Sequence, residues 1–103
     1  MSRGPDVGTL LVRALYRDAG RAGCALSIEE SDWVGWASTT FSGARHAMRW
    51  SALPSPALDR WLAGLADTEL DIRGHLVADI TVAGVARSAD AVSLEIEALT
   101  LAQ

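Results

Sequence analysis

Residues 36–50 read WASTTFSGARHAMRW, a stretch in which two tryptophans enclose a hydroxyl-rich run, a glycine and an Arg-His pair. Small and hydroxyl residues between two runs of strand-forming residues are typical of a β-hairpin. We therefore predict one strand over residues 33–40 and a second over residues 44–50. The turn between them spans 41–43, where Gly43 is free to take a positive φ.

The segment before the hairpin has the signals of an amphipathic helix. Apolar residues recur at helical spacing between positions 7 and 19, and Asp6 is a suitable N-cap. Gly20 and Gly23 then supply a stop. A strand over residues 9–16 is the alternative interpretation, because the run TLLV also suits a buried strand.

Short strands and a second helix account for the rest of the chain. Ser55 and Pro56 have the residue types of an N-cap and a first helical position. The polar cluster at residues 29–32 is typical of a turn. The predicted strands outside the hairpin are residues 24–28, a stretch within 70–85, and residues 92–101.

These elements predict a two-layer α+β sandwich of order αβββαββ. Its five-stranded antiparallel sheet carries both helices on one face, because each strand offers one apolar side. The length of 103 residues suits a single α+β domain over residues 1–103, and we find no internal sequence repeat. In the strand within 70–85, one face would hold Leu76, Ala78, Ile80 and Val82. We predict that Trp61, on the apolar stripe of the second helix, and Trp50, on the inner face of its strand, are core residues. The uncovered face would hold Ser27, Ser38, Thr40, Arg45, Arg49, His75, Asp79, Thr81, Ser93, Glu95 and Glu97.

Composition excludes several classes of function. The net charge of −4 disfavours nucleic acid as a partner. All nine basic residues are arginine, so there is no lysine to form a Schiff base. No apolar run approaches the roughly 20 residues of a membrane span, so we predict no membrane association and a cytoplasmic location. One cysteine, Cys24, and two histidines cannot form a usual structural zinc site, so we predict no metal and no cofactor.

The tryptophans at positions 33 and 36 point to a contact surface. Trp33 and Trp36 have opposite parity in one strand, so only one can face the core in a regular register. An exposed tryptophan is typical of an interface hot spot and favours a homodimer or another protein partner. The alternative is that the outer tryptophan covers the end of the core.

A second group of residues has side chains that could bind an anion or transfer a proton, but their pattern matches no catalytic motif. Arg45 and Arg49 share a strand face and could hold a small anion, with His46 or His75 transferring a proton. The alternation of the strand places His46 on the inner face of the sheet, so the simplest expectation is a half-buried histidine of the hairpin that hydrogen-bonds with backbone or solvent. No GxSxG elbow accompanies the serines and threonines of the hairpin, and we assign no catalytic residue.

We therefore predict a non-enzymatic protein-binding or assembly module that self-associates through the hairpin at 33–50 or the open sheet face. A small anion-binding domain or enzyme using the two arginines and a histidine is the alternative. The candidate contact residues are Trp33, Trp36, Arg45, His46, Arg49 and His75.

Overall fold

The computed structural model describes residues 4–103 and has an α+β fold of order αββαββ. The sheet is antiparallel throughout, with four strands in the spatial order β1-β2-β4-β3. The elements are α1 (Val7–Arg21), β1 (Leu26–Ala37), β2 (Ser42–Ala52), α2 (Pro56–Gly64), a 3₁₀ turn (Leu65–Asp67), β3 (His75–Arg87) and β4 (Val92–Ala102).

Side-chain caps begin both helices, as the sequence predicts. The Asp6 carboxylate accepts a hydrogen bond from the Thr9 amide at 2.8 Å, and this bond lowers the pKa of Asp6. The Ser55 hydroxyl accepts from the Leu58 amide at 3.0 Å, with Pro56 in the first turn. The alternative of a strand over residues 9–16 is wrong. Within residues 4–103, no helix is both long and apolar enough to cross a bilayer.

Both helices pack on one face of the sheet and share one core. Trp50 on β2 is fully buried, and Trp61 on α2 is nearly so, which confirms the core positions predicted for these two tryptophans. The Trp61 indole N–H donates to the Asp18 carboxylate at 2.8 Å and so joins α2 to α1. The largest other fully buried core side chains are Leu11, Leu15, Leu58, Leu65, Leu94 and Ile96.

The sheet has four strands, so the prediction of five is wrong. The two strands expected at residues 24–28 and 33–40 are one continuous strand, β1. A bulge at Glu29 interrupts the pairing with β2 between Ile28 and Glu30. The acidic run is tolerated because β1 lies at an edge of the sheet, and the bulge absorbs the extra residue without a turn.

The loop of the first hairpin is residues 38–41, so it begins three residues before the predicted turn at 41–43, and Ser38 and Thr40 lie in the loop instead of on the predicted sheet face. The Ser38 amide donates to the Phe41 carbonyl at 2.7 Å, and the Phe41 amide donates to the Ser38 hydroxyl at 3.0 Å. Gly43 lies inside β2 and has no positive φ. Glycine is required at position 43 for steric reasons, because the methyl group of an alanine would overlap the carbonyl oxygen of Thr100 on the neighbouring strand.

Two bulges in β3 change which of its residues lie on each face, so the faces predicted for that strand are partly wrong. The register shifts between Val77 and Asp79, and again between Val82 and Gly84. Val77 therefore packs against the core, whereas Leu76 is about half-exposed and does not share the face of Ile80. The same shift places His75 on the helix side of the sheet instead of the uncovered side.

The fold repeats one αββ unit twice, which the sequence does not reveal. The loop at residues 88–91 reproduces the contacts of the loop at 38–41, with Ser88 in the place of Ser38. The two central strands, β2 and β4, pair so that Ala47 lies opposite Glu97, its counterpart in the second unit. The two units are therefore related by an approximate two-fold axis through that pair.

Candidate functional site on the open sheet face

The sheet face turned away from α1 and α2 is uncovered in the described part of the chain. We call it the open face and define it by four rows of residues that the strand register aligns across β1, β2, β4 and β3. In that strand order the rows are Trp36, Gly43, Leu101, Leu76; Val34, Arg45, Leu99, Asp79; Asp32, Ala47, Glu97, Thr81; and Glu30, Arg49, Glu95, Gly84.

One end of the open face is apolar. The Trp36 ring lies over Gly43, where a methyl group would stand 3.0 Å from the ring atom Cζ2. The indole nitrogen of Trp36 is buried and has no hydrogen-bond partner among residues 4–103. Val34, in the next row, is 70% exposed. These side chains form an apolar surface of the kind that proteins bury in interfaces.

The other end of the open face is charged. Arg49 lies 3.4 Å from the Glu30 carboxylate and stands opposite Glu95 on β4. Arg45 makes no ion pair among the residues that the structure describes. Carboxylates outnumber arginines on this face, so a free anion meets a surface that is negative overall.

Two shallow depressions follow the rows of the open face. The larger encloses about 710 Å³ between Val34, Arg45, Asp79 and Leu99. The smaller encloses about 230 Å³ around Arg49, between carboxylates of β1 and β4. Both are open to solvent over a broad area, which suits contact with another protein surface better than enclosure of a small molecule.

The histidines and Trp33 lie on the helix side of the sheet. Trp33 packs against the first turn of α1, where a methyl group on Gly8 would be 2.5 Å from the indole ring. The rings of Trp33 and His46 are 6.4 Å apart, and His46 Nε2 hydrogen-bonds with the Thr100 hydroxyl at 2.9 Å. Nδ1 of His75 is buried without a partner.

The six candidate contact residues therefore divide between two faces. The open face carries Trp36, Arg45 and Arg49, and the opposite side carries the other three. The two arginines do not share a face with either histidine, and His75 does not share one with Asp79. The structure thus brings together three of the predicted contact residues and adds others that the sequence missed: Glu30, Asp32, Val34, Leu76, Leu99 and Leu101.

Burial and the nearby His75 lower the pKa of His46, and only the carboxylate of Asp6 opposes them. A histidine whose folded pKa lies below its ordinary value near 6.5 favours unfolding once acid protonates the unfolded chain. We expect the free energy of unfolding contributed by His46 to be constant above about pH 6.5 and to fall at lower pH. The slope is at most about 1.4 kcal/mol per pH unit.

Urea unfolding of the protein and of His46→Gln across pH 4.5 to 8 measures this contribution, with glutamine retaining a hydrogen-bond partner for Thr100. The difference between the two curves isolates His46 from the carboxylates, which titrate in both proteins. Parallel curves over the whole range would show that His46 is not held neutral by its surroundings.

The remaining candidate groups form no reactive cluster. Burial raises the pKa of the Cys24 thiol, which is typical of a core cysteine. No three metal-ligand side chains lie together anywhere between residues 4 and 103. Glu95 and Glu97, on one face of β4, lie opposite Arg49 and Ala47 of β2 and line the smaller of the two open depressions.

Comparison with known proteins finds no match for this chain. No family model matches it, and neither a curated protein nor a solved structure does.

Proposed function

We propose that this chain is a non-enzymatic assembly module that self-associates through its open face. The observation that supports the proposal is the order of residues within the four rows. When two copies pack open face to open face, each row of one copy lies over the same row of the other copy, in the opposite strand order. In this arrangement no two charges of the same sign face each other directly.

The arrangement follows from a two-fold axis parallel to the strands and midway between β2 and β4. Such an axis places β2 of one copy over β4 of the other, and β1 over β3, while each residue keeps its row. The two sheets then form the central layers of a four-layer assembly with the helices outside. Packed sheets cross at about 30°, so the rows move out of alignment with distance from the centre of the interface. The central rows therefore stay closest to the row-on-row alignment described for this axis.

Two of the facing pairs are complementary, and the carboxylates in excess on each face stand opposite neutral residues. Trp36 meets the half-exposed Leu76 of the second copy, and Arg49 meets Glu95 of the second copy. Arg45 lies over Leu99 of the second copy. Asp79 of the second copy is on the next strand, so the long Arg45 side chain can reach its carboxylate. The other facing pairs are Gly43 with Leu101, Val34 with Asp79, Asp32 with Thr81, Ala47 with Glu97 and Glu30 with Gly84.

The open face supplies more than half the area of a standard interface. Its four rows are two residues apart on strands that rise about 3.3 Å per residue and lie about 4.8 Å apart, so the face presents roughly 500 Å². Specific dimers bury about 800 Å² on each partner. A single face therefore accounts for most of a standard interface.

The two sheet edges are less suitable for self-association. β1 carries the carboxylates of Glu29, Glu30 and Asp32 along its length, and an antiparallel pair of such strands brings like charges together. β3 has two bulges, which interrupt the regular spacing of its outer hydrogen-bonding groups. Both features are known to discourage edge-to-edge pairing.

A charge placed on the apolar end of the open face tests the proposal. Val34→Glu changes a side chain that is already 70% exposed and places a carboxylate opposite Asp79 of the second copy. We expect its dimer dissociation constant to rise at least about tenfold, because like charges in an interface are costly. Sedimentation equilibrium over a range of concentrations measures the constant.

Leu53→Glu is the matched control, since Leu53 is 65% exposed, equally apolar and located in the loop before α2. It should associate like the original protein. A monomer for the unmodified chain at high micromolar concentration, or equal effects of both changes, would contradict the proposal.

A further inference from the structure

A groove on the helix side of the sheet runs between α1 and the outer strand β1. It encloses about 580 Å³. Val12, Arg13, Tyr16 and Arg17 of α1 form one wall, and Leu26, Ser27, Ile28 and Trp50 form the other wall and the floor. It lies on the opposite side of the sheet from the open face and shares no residue with it.

The groove is apolar within. Tyr16 is 60% exposed and Ile28 is 40% exposed, and both line the same depression. Trp50 is fully buried, yet its indole N–H has no hydrogen-bond partner. Large apolar side chains facing each other across a depression are an unusual feature of a solvated surface and mark binding grooves.

The rim of the groove is basic and its charges are unpaired. Arg13 and Arg17 lie one helical turn apart on α1, and neither makes an ion pair within residues 4–103. The nearest carboxylate on α1 is Asp18, which already accepts from Trp61 at 2.8 Å and lies 3.5 Å from Arg21. The rim is therefore complementary to carboxylates on a partner.

The strand beside the groove has a free edge. β1 is an outer strand, and its first residues, Leu26 to Ile28, precede the bulge and carry no charge. The acidic residues that protect the edge begin only at Glu29. The uncharged part of the edge and the two arginines thus lie next to the same groove.

We propose that this groove binds an extended, acidic segment of a partner protein, which adds a strand to β1 at Leu26 to Ile28. Strand addition satisfies the free backbone groups of the edge, and alternate side chains enter the groove between Tyr16 and Ile28. Carboxylates on the same face of the segment, the face turned toward α1, pair with Arg13 and Arg17. The basic rim favours an acidic segment over a basic one.

The probe is a labelled, end-capped peptide of roughly eight residues, the length of a strand, with valine and glutamate together on one strand face and threonine at every position of the other face. Fluorescence anisotropy measures its affinity, and amide chemical shifts locate its contact. We expect shifts at Leu26 to Ile28 and at α1. A peptide with lysine in place of glutamate should bind at least about tenfold more weakly, as should one with N-methylated backbone amides.

Two protein variants separate the groove from general charge effects. The double change Arg13→Glu and Arg17→Glu should weaken binding at least about tenfold, and both side chains are exposed, so the fold is retained. Arg73→Glu, which changes an exposed arginine outside the groove, should leave the affinity unchanged. The affinity should also be the same in Val34→Glu, which keeps this site independent of self-association.

Several results overturn the inference. The first is that the valine-glutamate peptide does not bind at millimolar concentration. The second is that the lysine peptide or the N-methylated peptide binds as tightly as the valine-glutamate peptide. The third is that the double variant binds the valine-glutamate peptide as tightly as the original protein does. Binding of the protein to anionic phospholipid vesicles that is abolished by the double change, without peptide binding, would instead assign the arginines to a membrane surface.

Discussion

Replacement of Gly43 by alanine is expected to lower the free energy of unfolding by about 3 kcal/mol or more, at the upper end of the cost of overpacking. The added methyl group would overlap the Thr100 carbonyl oxygen and stand 3.0 Å from the Trp36 ring. Thr100 belongs to the central strand β4, whose backbone is paired on both sides. It therefore cannot move aside without breaking the ladder.

Gly35→Ala is the control for this change. Gly35 lies on β1 beside Gly43, and a methyl group there meets its nearest atoms at 3.8 and 3.9 Å, which is ordinary contact. Neither glycine has a positive φ, so the two substitutions differ only in the space available. Urea unfolding followed by tryptophan fluorescence compares them. Equal stabilities would show that β2 and β4 are not packed as closely as described.

Reversal of one charge at the centre of the proposed dimer is expected to raise its dissociation constant about a hundredfold. Arg49→Glu places a new carboxylate opposite Glu95 of the second copy, and Glu95→Arg places two guanidinium groups opposite each other. The two-fold axis generates each contact twice, and like charges facing each other in an interface cost several kcal/mol in total.

The fold of a single copy should survive these reversals. Within one chain Arg49 pairs with Glu30 at 3.4 Å and stands opposite Glu95 on β4, so each reversal also places like charges on neighbouring strands. The Arg49 and Glu30 side chains are nevertheless 48% and 64% exposed, and Glu95 is exposed too. Exposed ion pairs contribute at most about 1 kcal/mol to stability. Circular dichroism at a concentration where the protein is monomeric should therefore show a native spectrum for both variants.

Local signals in the sequence were sufficient for the helices and the core. Asp6 and Ser55 are capping residues whose effect depends only on their own first turn, so their role is visible without a tertiary structure. Trp50 and Trp61 follow apolar periodicity and are buried as predicted. The α+β class with an antiparallel sheet and two helices was predicted for the same reason.

The positions of bulges could not be predicted, and most errors follow from them. A bulge has no residue signature of its own, and it exchanges the faces of every residue beyond it. The bulge at Glu29 hid the continuity of β1. The bulge before Asp79 separated His75 from the arginines.

Arg45 and Arg49 were assigned to the correct side because β2 is regular along its whole length. The complementarity of the open face was not predictable, since it depends on the order in which four strands lie together. Neighbouring residues in a row come from positions as distant as 43 and 101, so no local pattern contains them.

The most direct test of self-association is to mix the two charge-reversed chains, Arg49→Glu and Glu95→Arg. In the mixed dimer the introduced glutamate of one copy faces the introduced arginine of the other, and the native Glu95 faces the native Arg49, so both contacts are attractive again. Sedimentation equilibrium should show two chains that are monomeric alone and dimeric together, with an affinity close to that of the original protein. If the mixture remains monomeric while each chain is folded, the open face is not the surface through which this protein associates.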